Sequence, residues 1–180
     1  ALGANGQFLQ PSGNGLGGAV ALLSASNIGT ISFSTFNSND AIGGNNPLIF
    51  VGDGDGFGGA LYLESSLGFL SSVGSIENST FSSNNATGGD ALSLADGFGH
   101  GGAIYTTGVG LFPSFVTSVL NSTFSGNRAK NFGGAIHLAA NSFLSNLFST
   151  TITLNSADEL DGGGGIYIDS SGKVNVEFRE

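Results

Sequence analysis

The chain has 180 residues, enough for one domain with a sizeable core, and 39% of them are hydrophobic, which excludes a disordered polymer. A net charge of −9, from 13 acidic residues against 4 Lys and Arg, excludes nucleic acid and anionic membrane surfaces as partners. There is no cysteine, hence no disulfide framework, and no apolar run is long enough for a membrane-spanning helix.

Short Ile/Val/Phe/Tyr/Thr segments separated by Gly and Asn predict an all-β chain. Residues 1–15 are rich in Gly and Asn and lack the basic stretch that opens a signal peptide, as if the sequence began within repeated material. A first unit opens at Gly17-Gly18-Ala19-Val20 and runs through Ile31, Thr35, Phe36, Asn39 and Ala41, with an insertion at 43–57. A second opens at Gly58-Gly59-Ala60-Leu61 and runs through Ile76, Thr80, Phe81, Asn84 and Ala86, with an insertion at 88–100. The third has Gly101-Gly102-Ala103-Ile104, Val119, Thr123, Phe124, Asn127 and Ala129. The fourth has Gly133-Gly134-Ala135-Ile136, Leu147, Thr151, Ile152, Asn155 and Ala157. The fifth opens at Gly163-Gly164-Gly165-Ile166 and leads into a strand pattern with Val174, Val176 and Phe178.

Units therefore start near 17, 58, 101, 133 and 163, a core period of about 30 residues with insertions of about ten in the first two. The insertions, rich in Gly, Asn and Asp, read as protruding loops. One unit cannot bury its own apolar face, but stacked units can. Alternation along each strand puts Val20, Leu61, Ile104, Ile136 and Ile166 in one interior column, and Phe36, Phe81, Phe124 and Ile152 in another. Asn39, Asn84, Asn127 and Asn155 fall in register at a corner, where a left-handed Asn can bond to the Asn one coil away. The expected fold is a right-handed parallel β-helix of about five coils, one domain over 1–180.

The paired Gly-Gly-Ala-Ile and Phe-x-x-Asn motifs resemble the repeats of polymorphic outer membrane proteins over about residues 16 to 168. The resemblance implies a pectate-lyase-like right-handed β-helix and a role as an adhesin or surface-structure protein. The low charge and the large insertions depart from that family, and membrane attachment is not carried over.

Four kinds of site follow. Tyr62, Tyr105, His137 and Tyr167, with Ala21, form an outward column after the glycines, an aromatic strip able to stack on sugar rings or anchor a protein. Asp53-Gly54-Asp55-Gly56 resembles half a calcium loop, although an Asx turn is preferred and no cofactor is expected otherwise. Asn78, Asn85 and Asn121 head glycosylation sequons. For catalysis, the acids are Asp90, Asp96, Asp158, Glu159, Asp161 and Asp169, with Arg128-Ala129-Lys130 and His100 or His137 as partners. Arg128 is expected in a solvated turn, and the acids at 158–161 lie a full repeat away in sequence, so no enzyme is expected. The reading is a secreted or cell-surface structural or adhesive protein that stacks end to end or docks on other copies, a surface assembly or glycans. A carbohydrate-binding or polysaccharide-degrading β-helix is the alternative.

Overall fold

The computed structural model describes residues 1–3, 5, 12–47, 51–90, 96–158 and 162–176. They form an all-parallel β-helix, with five sheets running along its length. One sheet follows the glycine pairs and stacks Val20–Leu23, Leu61–Glu64, Ile104–Thr107, Ile136–Leu138 and Ile166–Ile168. A second stacks Asn27–Ser32, Ser72–Glu77, Ser114–Leu120, Ser142–Phe148 and Lys173–Val176. A third carries the aromatic column on Thr35–Asn37, Thr80–Ser82, Thr123–Ser125 and Thr151–Thr153. A fourth stacks Asp40–Ile42, Asn85–Thr87, Arg128–Ala129 and Ser156–Ala157. The fifth, short, stacks Gly15–Leu16, Gly56–Phe57 and Gly99–His100.

Both expected interior columns are present. Val20, Leu61, Ile104, Ile136 and Ile166 pair in register, and Leu61, Ile104 and Ile136 are fully buried. Phe36, Phe81 and Phe124 stack nearly parallel, with ring centres 4.6 and 4.7 Å apart. Val73, Ile76, Val116, Val119 and Leu144 of the second sheet close the core. The core column at Leu22, Leu63, Thr106 and Leu138 is broken once, by Thr106, whose buried hydroxyl has no hydrogen-bond partner.

Each residue of the Gly-Gly-Ala motif has its own reason. The first glycine, as at Gly58 and Gly101, sits at φ of +62° and +65°, turning the chain sharply into the next strand. The second has no room for a side chain: a Cβ on Gly102 would lie 2.0 Å from the Gly134 carbonyl oxygen and 2.6 Å from the Arg128 backbone. The third, Ala60, Ala103 or Ala135, is fully buried.

The asparagine ladder is formed. Nδ2 of Asn39, Asn84 and Asn127 each donates to Oδ1 of the Asn one coil further on, at 2.8 Å in all three steps. The same Oδ1 also accepts the backbone N–H of the preceding ladder Asn. A second Nδ2 bond reaches back to a Phe carbonyl, from Asn84 to Phe36, Asn127 to Phe81 and Asn155 to Phe124. The left-handed corner expected at these Asn residues lies one position earlier, at Ser38, Ser83, Gly126 and Leu154, with φ of 53° to 62°. Bending there leaves each Asn free to aim its amide along the stack.

The insertions are only partly the protruding loops expected. Their feet stack coil on coil: Gly44 N–H donates to Gly13, Gly54 to Gly44, Gly89 to Gly54 and Gly97 to Gly89, all backbone to backbone. Asn45 accepts from the Asp90 N–H and donates its own to Asn5. Residues 1–3 and 12–16 repeat the pattern of the first insertion, with Leu2 bridged to Ile42. Phe178 lies outside the described residues, while the strand expected around Val174 is present.

Candidate functional site

The outward column after the glycine pairs is in register: Tyr62 with Tyr105, Tyr105 with His137 and His137 with Tyr167. It is not, however, the open strip that the sequence predicts. Tyr62 and His137 are only 5% and 4% exposed. A second aromatic row, Phe57, His100 and Phe132, lies over it, because the turn at each first glycine folds the preceding residue back across the strand. Along the covering row, Phe57 and His100 stack at 5.3 Å and His100 and Phe132 at 5.5 Å. Between the rows, Phe57 meets Tyr105 at 4.8 Å, His100 meets His137 at 5.1 Å and Phe132 meets Tyr167 at 4.7 Å. The result is a secondary core outside the main one. Its signal was present in the sequence as the residue before each of the first four Gly-Gly pairs, Leu16, Phe57, His100 and Phe132, a column that changes residue type at every step.

The electrostatics of this cluster follow from burial. His100 is pushed down to about 4 by desolvation, partly opposed by the Asp169 carboxylate. His137 is pushed down to about 3 by desolvation and, secondarily, by its neighbour His100. Burial likewise raises the Tyr105 phenol to about 12, and raises that of Tyr62, which also donates a hydrogen bond to Glu64. His137 stands edge-on between Tyr105 and Tyr167, at 5.1 and 5.0 Å. Nδ1 and Nε2 of His137 and Nδ1 of His100 are buried and have no hydrogen-bond partner.

The other candidates disperse. Asp53 accepts the Asn46 N–H across the insertion and Asp55 accepts the Phe98 N–H of the next coil at 2.7 Å, longer-range bonds than the local one of an Asx turn. Burial pushes the Asp55 carboxyl above its ordinary value, and the Phe98 bond opposes it. Among the sequons, Asn78 and Asn121 are exposed corner residues on adjacent coils, with Asn121 Nδ2 donating to Asn78 Oδ1 at 3.3 Å. Asn85 is half-buried, with its Oδ1 shielded from solvent. Arg128 is exposed, as expected, but forms an ion pair with Asp158: a full repeat in sequence is one step between coils in space. Lys130 lies 3.7 Å from Asp96, and Asp90 is exposed elsewhere. Glu159 and Asp161 lie outside the described residues. Among the described residues, no three His, Asp or Glu side chains converge as a metal-binding group.

One exposed feature was not anticipated. Two tight turns, closed by the Ser66–Phe69 and Val109–Phe112 bridges, project from adjacent coils. Their tips are apolar, Leu67 at 70% and Leu111 at 92% exposure, and Phe69, Leu70 and Val109 are exposed beside them. No charged residue occurs from 65 to 76 or from 101 to 127. The sequence signal was a glycine between large apolar residues, Leu67-Gly68-Phe69 and Val109-Gly110-Leu111, set among Ser and Thr.

Fold and ladder define the class: an all-β repeat protein built as a parallel β-helix. Residues 121–139 match the Chlamydia polymorphic membrane protein repeat, so this segment is similar to a repeat of that family. The matched segment holds Phe124, Asn127 and Gly133-Gly134-Ala135-Ile136, a copy in which no insertion separates the two motifs. The family points to an outer-membrane or surface location. No curated protein and no solved structure matches the chain. No helix among the described residues is long and apolar enough to cross a membrane.

Proposed function

We propose that this chain is a non-catalytic, rigid stretch of an extracellular surface protein that adheres by contact. The observation that carries this reading is the pair of apolar turns, 66–69 and 109–112, held side by side by the coils behind them. A ladder-locked rod fixes their spacing without an ordering cost at the moment of contact. Exposed Leu and Phe in a neutral surround are the kind of patch that marks a protein-contact site. Docking with further copies is a second contact mode. Among the described residues, Val20–Leu23, Asn27–Ser32 and Thr35–Asn37 each pair on one side only, the kind of strand edge on which a further coil docks.

The test is adhesion of cultured cells to surfaces coated with the folded chain or with the double variant Leu67→Ser, Leu111→Ser. Because both tips lie outside the core, the variant keeps its fold, checked by circular dichroism. Loss of most adhesion in the variant supports the reading. Undiminished adhesion removes the turns from it, and degradation of a polysaccharide panel by the native chain would favour the carbohydrate-active alternative.

A further inference from the structure

The two aromatic rows outside the main core are each interrupted once. The inner row reads Tyr62, Tyr105, His137, Tyr167, and the covering row reads Phe57, His100, Phe132. Packing alone would be served by Tyr or Phe at both breaks. A buried nitrogen left without a partner costs about 1–3 kcal/mol, and three such nitrogens are present here. The two breaks also fall together, with the imidazole centres 5.1 Å apart and the ring planes inclined by 60°. Two imidazoles bound to one Zn²⁺ through bonds of about 2.0–2.1 Å at a near-tetrahedral angle have ring centres about 5 Å apart.

We propose that His100 and His137 form a two-histidine site for a borderline divalent transition metal such as Zn²⁺, Ni²⁺ or Cu²⁺. Buried imidazoles held neutral are the ligand form that such cations take. His100, on the half-buried covering row, gives the entry side, while His137, 4% exposed, is the inner ligand. Phe57, Phe132, Tyr105 and Tyr167 wall the pair, and Asp169 is the charged group that acts on His100. No third His, Asp or Glu among the described residues joins them, so water completes the coordination. Such a metal would tie two coils together where the long insertions give way to the short repeat.

The experiment is calorimetric titration of the whole chain with ZnCl₂ in chelator-treated buffer, beside Cu²⁺ titration followed by electron paramagnetic resonance. The variants are His100→Phe and His137→Phe, each introducing a ring like those already in the surrounding rows. One Zn²⁺ per chain, a Cu²⁺ spectrum with two nitrogen ligands, and an affinity lowered at least tenfold in either variant are expected. If His137→Phe fails to fold, His100→Phe decides alone, since Phe already stands at both neighbouring positions of that row. Absence of Zn²⁺ binding by the native chain at 1 mM, or equal affinity in a folded variant, overturns the site.

Discussion

Replacing Asn127 with Ala isolates what the ladder contributes. The side chain of Asn127 is fully buried and makes four hydrogen bonds: Nδ2 donates to Asn155 Oδ1 and the Phe81 carbonyl, and Oδ1 accepts from Nδ2 and the backbone N–H of Asn84. At about 1 kcal/mol net per bond, Asn127→Ala costs about 4 kcal/mol. Asn39, on the first coil, gives up one such bond, to Asn84, so Asn39→Ala costs about 1 kcal/mol. For a domain of this length, 1 kcal/mol moves Tm by about 2–4 °C, so the first change lowers Tm by roughly 8–16 °C and the second by a few degrees. The assay is thermal and urea unfolding of the two variants side by side, followed by far-ultraviolet circular dichroism. Equal losses at the two positions would refute the idea that interior rungs are doubly bonded and end rungs are not. Asn127→Asp sharpens the test: it sets a second acceptor oxygen against Asn155 Oδ1 and the Phe81 carbonyl, so at neutral pH it destabilises more than Ala does.

Three further outcomes are expected. Gly102→Ala, whose Cβ would meet backbone atoms at 2.0 to 2.6 Å, costs about 3 kcal/mol or more, whereas Gly126→Ala, at φ +62° with only Ser83 Oγ at 3.9 Å, costs about 1–2 kcal/mol; urea midpoints measure both. Thr106→Val removes a buried, unpartnered hydroxyl from a Leu column and stabilises the chain by about 1 kcal/mol, read as a higher Tm. In chelator-containing buffer, stability falls as the pH drops below about 6.5, because His100 and His137 titrate near 4 and 3 when folded and the unfolded chain binds protons first. At pH 5 the loss is about 2 kcal/mol per ring, and in His137→Phe the pH slope of the urea midpoint is halved.

The parts of the fold legible in the sequence are those where one residue type recurs at one place in the coil. Phe36, Phe81 and Phe124 stand in a fixed relation to Asn39, Asn84 and Asn127, because stacked rings and stacked amides each require their own kind above and below. The secondary core was hard to read, because Leu16, Phe57, His100 and Phe132 satisfy the same packing with different residues and two of them, Phe57 and His100, sit where the insertions end. The left-handed corner was placed one residue late, since Ser38, Ser83 and Leu154 carry no composition signal for positive φ. Arg128 and Asp158 show a different kind of miss: separation along the chain hides a contact that the coil period creates.

The ladder also has a direction. In all three steps between ladder Asn residues Nδ2 donates to the later coil and Oδ1 accepts from the earlier one, so these bonds share one direction along the axis instead of cancelling. The rod therefore has a donor-like pole and an acceptor-like pole.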